Sequence, residues 1–222
     1  DAFGNTLWME LTSQALSVHG NELTLVWHSD VTDKKRQALQ MEEMNAKLKW
    51  LSGTDELTQL ANRRRFDDVF RQEWNRARRE DARLALLLID IDHFKSYNDR
   101  HGHPEGDKCL QAVASVIASF ARRPTDLAAR YGGEEFALLM PKSDSSHARE
   151  HAEALTRAVE DLRVPHDGSN HGVVTVSIGV CVATPLESGD PERLIGCADK
   201  ALYEAKSDGR NRVGLLPFTE TG

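Results

Sequence analysis

Leu84-Ala85-Leu86-Leu87-Leu88-Ile89-Asp90-Ile91-Asp92 is an apolar run that ends in carboxylates. So continuous a run predicts a central strand over 84–91 that is covered on both faces, since a half-exposed strand would alternate polar and apolar residues. A carboxylate at the end of such a strand needs a partner, because an unpaired buried charge is costly. Asp90 therefore reads either as a structural acceptor for a backbone amide or as a metal ligand.

The flanking sequence supplies the layers that cover this strand. A helix from about Arg63 carries Phe66, Val69, Phe70, Trp74 and Ala77 at helical spacing. Another helix follows Gly106, with Leu110, Val113, Ile117 and Phe120 on one side. Two strands, 127–131 and 136–140, are joined by a tight turn at Gly132-Gly133. A helix over 146–162, a strand over 173–182, a helix over 191–206 and a closing strand at 213–216 complete the order βααββαβαβ. That order predicts an α/β (α+β) fold, a central mixed sheet flanked by helices.

Ahead of this domain the pattern changes. Apolar runs at 7–11, 16–18 and 23–27, with a turn signal at His19-Gly20-Asn21, predict a hairpin. A hairpin this small is marginal alone and is expected to belong to a larger sheet. Asp30 or Thr32 is placed to cap a helix from Asp33 to about Leu51, where Met41, Met44, Leu48 and Leu51 fall at coiled-coil spacing. The same spacing fits an amphipathic helix lying on its own domain, and both readings stay open. Ser52-Gly53-Thr54 then breaks the helix.

Composition narrows the function classes. The 222 residues are 40% apolar, enough for an ordinary core. A net charge of −7 argues against a general nucleic-acid binder. It leaves room for a nucleotide, whose charge a few local cations and a metal ion can offset. No apolar run reaches the ~18 residues of a membrane span, so no membrane contact is expected of this stretch. The chain begins at Asp1, and it is expected to be cut from a longer protein. Cys109, Cys181 and Cys197 form no CxxC pair and read as buried small hydrophobes in a reducing compartment. A cytoplasmic location is expected, with any membrane anchor in parts outside this sequence.

The chemistry is concentrated at Arg130-Tyr131-Gly132-Gly133-Glu134-Glu135-Phe136. Its two glycines let the backbone turn tightly and approach a ligand closely. If this hairpin lies beside the Asp90 strand, the carboxylates of Asp90, Glu134 and Glu135 converge. Oxygen-only ligands suit Mg²⁺ or Mn²⁺, particularly with phosphates completing the shell. His101-Gly102-His103 offers only two histidines with no thiol nearby, too few for zinc.

Gly132-Gly133-Glu134-Glu135-Phe136 resembles the signature of the GGDEF nucleotide cyclase family, in its Glu-for-Asp form. The likeness covers about residues 52–216. It runs from Asp55-Glu56-Leu57-Thr58 through Asn62-Arg63-Arg64, then Asp90-Ile91-Asp92-His93-Phe94-Lys95, Asn98-Asp99, Gly102-His103 and Gly106-Asp107. It closes with Ala205-Lys206 and Gly209-Arg210-Asn211. The resemblance implies a palm-like βααββαβ core and a diguanylate cyclase that joins two GTP molecules into cyclic di-GMP with two Mg²⁺ or Mn²⁺ ions per site. It implies metal binding by Asp90, the Ile91 carbonyl and Glu134, with Glu135 close by. Glu134 would also be the candidate base for the ribose 3′-hydroxyl, and Lys95 would neutralise charge developing on the phosphates. Asn98 and a buried Asp107 would read guanine with His103 alongside, and Lys206 and Arg210 would hold the triphosphate. Two facing domains are implied, so a homodimer is expected.

Arg123-Pro124-Thr125-Asp126 resembles the RxxD element at which family members bind the product and shut down. Relatives often place a second arginine on the helix after the hairpin; here that position holds Ala154, with Arg149 or Arg157 as substitutes. Trp27-His28-Ser29-Asp30-Val31-Thr32-Asp33 resembles the exit of a PAS sensor domain. The expected organisation is therefore a PAS-like remnant over 1–32, a signalling helix over 33–51, the catalytic domain over 52–216 and a tail over 217–222. A rival reading is a silent GTP or cyclic di-GMP receptor, but degenerate relatives of that kind lose the acids that this chain keeps.

Overall fold

β3 (Leu84–Ile91) is buried along its whole length, as its apolar run requires. In the computed structural model, which describes residues 7–18, 21–186 and 189–219, it is the middle strand of a five-stranded sheet. Its other strands are β4 (Leu127–Gly132), β5 (Glu135–Pro141), β6 (Val176–Ala183) and β7 (Val213–Pro217), in the order β4-β5-β3-β6-β7. All neighbours are antiparallel except β6 and β7, so the sheet is mixed as expected.

Successive strand residues point to opposite faces, so β3 feeds two cores. Ala85, Leu87 and Ile89 share one with Tyr97, Val113, Ile117 and Leu155, contributed by α3 (Phe94–His101), α4 (His103–Phe120) and α5 (Ser145–Glu160). Leu84, Leu86 and Leu88 share the other with Phe66, Phe70 and Trp74 of α2 (Arg63–Glu80) and Leu194 and Leu202 of α6 (Glu192–Ser207). α2 starts where Asn62 accepts the Arg65 amide and stops at Asp81 in a left-handed conformation. Val69 is only partly buried in this core.

α6 approaches the sheet closely because Gly179 of β6 and Gly214 of β7, paired across the two strands, lie beneath it. A Cβ on either would stand 2.1 Å from the carbonyl oxygen of Ala198 or Ala201. The same close packing joins Cys181 of β6 to Cys197 of α6 in a disulfide. This corrects the reading of all three cysteines as free thiols: helix-on-strand contact, not sequence spacing, brings the two sulfurs together. Cys109 is free and buried, and burial pushes its thiol up to about 12.

The helix expected after Gly106 begins earlier, at His103, with Pro104 in its first turn, where a missing amide costs nothing. Gly102, at φ 81°, separates it from α3.

The chain divides into two compact units, Asp1–Ser52 and Gly53–Gly222. The first holds the antiparallel hairpin of β1 (Met9–Val18) and β2 (Asn21–Asp30), longer and more continuous than the short apolar runs suggest. The expected turn residues His19 and Gly20 lie outside the described residues. Helix α1 (Thr32–Ser52) follows, with Asp30 Oδ1 accepting the Thr32 amide at 2.8 Å. Met41 and Met44 of its apolar seam are exposed, while the side chains of Leu48 and Leu51 lie outside the described residues. Among the described residues no helix is long and apolar enough to cross a membrane.

Candidate functional site

Sheet register places the signature hairpin beside the central strand. Asp90 is directly opposite Glu135 of β5 on one side and Ser177 of β6 on the other. Directly opposed residues share a face, so the Asp90 and Glu135 carboxylates are cross-strand neighbours. Glu134 sits in the β4–β5 turn, where its carbonyl accepts the Ile91 amide at 3.4 Å. The hairpin thus lies beside the end of β3.

The carboxylates do not form a finished cage. Lys206, in the last turn of α6, places Nζ 2.8 Å from Asp90 Oδ2. Burial pushes the Asp90 carboxyl up and the Lys206 ammonium pulls it back. The negative charges of Glu134 and Glu135 push it further up. Among the described residues no group of three His, Cys, Asp or Glu side chains is arranged to hold a metal ion. The donor set nonetheless fits a hard divalent cation: its donors are oxygens only, and the charges of Glu134 and Glu135 add to the cost of ionising Asp90, which a cation would relieve.

Gly132 and Gly133 carry the turn past open space: a Cβ on either would meet nothing within 4 Å. Gly133 stands at φ 49°, where glycine is favoured. Arg130 braces the turn by donating through Nε to the Gly133 carbonyl at 2.9 Å and pairing through Nη1 with Asp55 Oδ1 at 3.2 Å. Asp55 also accepts from the Thr58 amide and hydroxyl, at 2.9 and 2.7 Å. Arg63 lies over the Tyr131 ring at 3.5 Å from its centroid.

The remaining expected residues come from the helices that follow β3. Lys95 and Asn98 are on α3, and His103 and Asp107 are on α4. Asn98 Oδ1 is buried with no partner, and a Cβ on Gly106 would stand 1.8 Å from it. Gly106 is therefore the gap in α4 that admits the Asn98 amide, whose oxygen is packed against it. Asp107 is exposed, as is His103, which corrects the expectation of a buried Asp107. Its place one residue past Gly106 turns it outward from the core that holds Cys109 and Leu110. Arg210 follows α6 at φ 65°.

Arg123 and Asp126 share a turn before β4. The Arg123 amide donates to Asp126 Oδ2 at 2.9 Å, while Asp126 Oδ1 is buried without a partner. The Arg123 guanidinium turns instead to the Pro141 carbonyl and Ser143 hydroxyl, both at 3.4 Å. Ala154 packs on the core, and Arg149 pairs with Glu153 of its own helix at 3.1 Å. His151 of α5 bonds the Phe120 carbonyl at 2.8 Å; burial lowers its pKa, and the charges of Arg122 and Asp126 also act on it.

Sequence reasoning also missed the role of Asp92. It is buried and accepts from the Thr175 hydroxyl, the Ser177 hydroxyl and the Asn211 amide, at 2.7, 2.7 and 3.1 Å. Its two-residue offset from Asp90 was the available signal, but its partners lie in distant segments.

Comparison with known proteins bears on the domain as a whole. Residues 52–212 match the family described as "Diguanylate cyclase, GGDEF domain". Diguanylate cyclase VdcA of Vibrio cholerae is 41% identical over 176 residues, covering 78% of this chain and 50% of its own. Diguanylate cyclase DgcM of Escherichia coli K12 is 37% identical over 214 residues, covering 96% of this chain and 48% of its own. The chain spans about half the length of these relatives. The crystal structure of the coiled coil and GGDEF domain of DgcB from Caulobacter crescentus, in complex with c-di-GMP, superposes with a TM-score of 0.69. It is 34% identical, over 84% of this chain and 97% of that one.

Proposed function

The chain belongs to the GGDEF family of diguanylate cyclases, and we propose that it condenses two GTP molecules into cyclic di-GMP and two pyrophosphates. The observation that carries this reading is the end of β3, where Asp90 lies opposite Glu135, beside the Glu134 turn, with Lys206 2.8 Å away. Asp90 there meets both the acids of the signature hairpin and the cation of Lys206.

In each half-reaction a ribose 3′-oxygen attacks the α-phosphate of the other GTP. The new O–P bond replaces the α–β anhydride bond, and pyrophosphate leaves. Asp90, the Ile91 carbonyl, Glu134 and Glu135 would hold two Mg²⁺ or Mn²⁺ ions. When bound, such ions polarise the phosphoryl group and favour the 3′-alkoxide. Glu134 takes the 3′-hydroxyl proton. Lys95 neutralises charge developing on the phosphates, while Lys206 and Arg210 hold the triphosphate. The Asn98 amide and the carboxylate of Asp107 read guanine's edge, whose donor pair adenine lacks. His103 lies alongside, at the start of α4.

Each GTP sits in one domain, so a homodimer completes the reaction. The exposed Met41 and Met44 of α1 support its role as the pairing helix. The hairpin of β1 and β2 is read as the end of a PAS-like sensor, and Arg123 and Asp126 as an inhibitory product site. Glu134→Gln tests the core of this reading: turnover should vanish while GTP binding measured by calorimetry persists. Retained turnover would refute the role of Glu134.

A further inference from the structure

Gly209, Arg210 and Asn211 stand at φ 112°, 65° and 47°, three successive residues on the left-handed side. For arginine this conformation is strained, though asparagine tolerates it better, and such strain persists only where surrounding contacts hold it. The contacts are few and specific. The Arg210 amide donates to the Ala205 carbonyl at 3.1 Å, ending α6. The Asn211 amide donates to Asp92 Oδ2 at 3.1 Å. Arg212 Nε donates to the Arg210 carbonyl at 3.1 Å, and the Arg212 carbonyl accepts the Ile178 amide at 2.9 Å.

We infer that Asp92 is a positioning residue which locks the loop after α6 so that Arg210 is presented to a nucleotide's triphosphate. The inference rests on the reading of Arg210 as a triphosphate ligand. Asp92 is suited to the task because it is fixed from both sides of the loop. Its own amide donates to the Thr175 carbonyl at 2.9 Å, and Ser177 holds Oδ1 while Thr175 holds Oδ2. One carboxylate therefore ties the end of β3, the start of β6 and the strained loop together, while Asp90, two residues earlier, faces Lys206. A buried carboxylate with three donors is a stiff anchor, whereas a side chain with no acceptor would leave the Asn211 amide unpaired.

The test compares Asp92→Ala and Asp92→Asn by initial rates, taking KM for GTP and the competitive inhibition constant for GMP, which lacks the outer phosphates. Asp92→Ala should raise KM for GTP about tenfold or more, the scale of one charge-assisted hydrogen bond, with the GMP constant unchanged. Asp92→Asn should stay close to the parent: its amide oxygen can still accept from Asn211 and Thr175 while its NH2 donates to Ser177. In an Arg210→Ala background Asp92→Ala should add little, because both changes remove one interaction. Amide exchange read without nucleotide should lose protection at Asn211 in Asp92→Ala alone. GTP and GMP affinities falling together, or full additivity with Arg210→Ala, would overturn the inference. So would unchanged Asn211 exchange. Should Asp92→Ala not fold, Thr175→Val frees Oδ2 from one side and is expected to shift KM for GTP, not the GMP constant, in the same direction. A parent protein with no affinity for GTP would instead overturn the function on which the inference stands, even where the exchange result holds.

Discussion

Gly179→Ala probes whether α6 is held at the height that puts Lys206 beside Asp90. A Cβ at this position would stand 2.1 Å from the Ala198 carbonyl oxygen, 2.2 Å from the Leu202 nitrogen and 2.7 Å from Leu202 Cα. All three are backbone atoms of one helix, so no side-chain rotation relieves the clash. The helix must lift from the sheet by roughly 1 Å, and close-packed interiors transmit such a displacement. Overpacking costs about 1–3 kcal/mol; backbone involvement places this case near the upper end. In a domain of this size that is a Tm fall of roughly 5–10 °C. Lifting the helix also carries Lys206 away from Asp90, and a displacement near 1 Å at a reacting site can lower turnover by up to about 100-fold. Thermal melting and GTP turnover, measured well below the melt, read the two effects. Gly132→Ala is the control: its Cβ would meet nothing within 4 Å, so stability should change by less than about 0.5 kcal/mol while turnover falls. A Gly179→Ala protein with parental Tm and parental turnover would refute the argument that close backbone contact sets the site.

Other expectations follow from single features. Met44→Asp should weaken self-association in analytical ultracentrifugation and reduce specific activity at low protein concentration, leaving Tm of the catalytic unit unchanged; an unaltered dimer would remove α1 from the pairing role. A thiol reagent should find no reactive cysteine in the native chain, one after unfolding, and all three only after reduction, since Cys181 and Cys197 are joined and Cys109 is buried. Three thiols on unfolding alone would contradict the disulfide. Burial pushes Asp55 up, but the Thr58 hydrogen bonds and the Arg130 charge outweigh it and hold the carboxyl below its ordinary value. Its contribution is therefore complete above the unfolded value of about 4 and is lost as pH falls through the lower folded value. The stability gap between the parent and Asp55→Asn should narrow as pH falls below about 4; a gap independent of pH would count against the pairing.

What the sequence made legible was local. The leucine run of β3 could only be a covered strand, and a double glycine between apolar runs could only be a tight turn. Asp107 falls on the helix expected after Gly106, while the helix that carries Asn98 and the earlier start at His103 were not foreseen. The contacts that finish the site were not legible, because each depends on sheet register or on helix height. Lys206 meets Asp90 only because glycines at 179 and 214 let α6 descend onto the sheet. Asp92 finds its donors in β6, in the residue before it, and in the loop after α6. Arg130 and Asp55 pair because the opening segment lies along β4, with the Arg130 amide donating to the Ala61 carbonyl at 2.8 Å. The cysteine pair escaped for the same reason, and the outward turn of Asp107 was set by which face of α4 the core takes.

The central claim is tested most directly by incubating the chain with GTP and Mg²⁺ and separating the nucleotide products while following pyrophosphate. Cyclic di-GMP, formed with two pyrophosphates for each molecule, is the expected result. GTP left intact at protein concentrations high enough for pairing, or a different cyclised product, would contradict it.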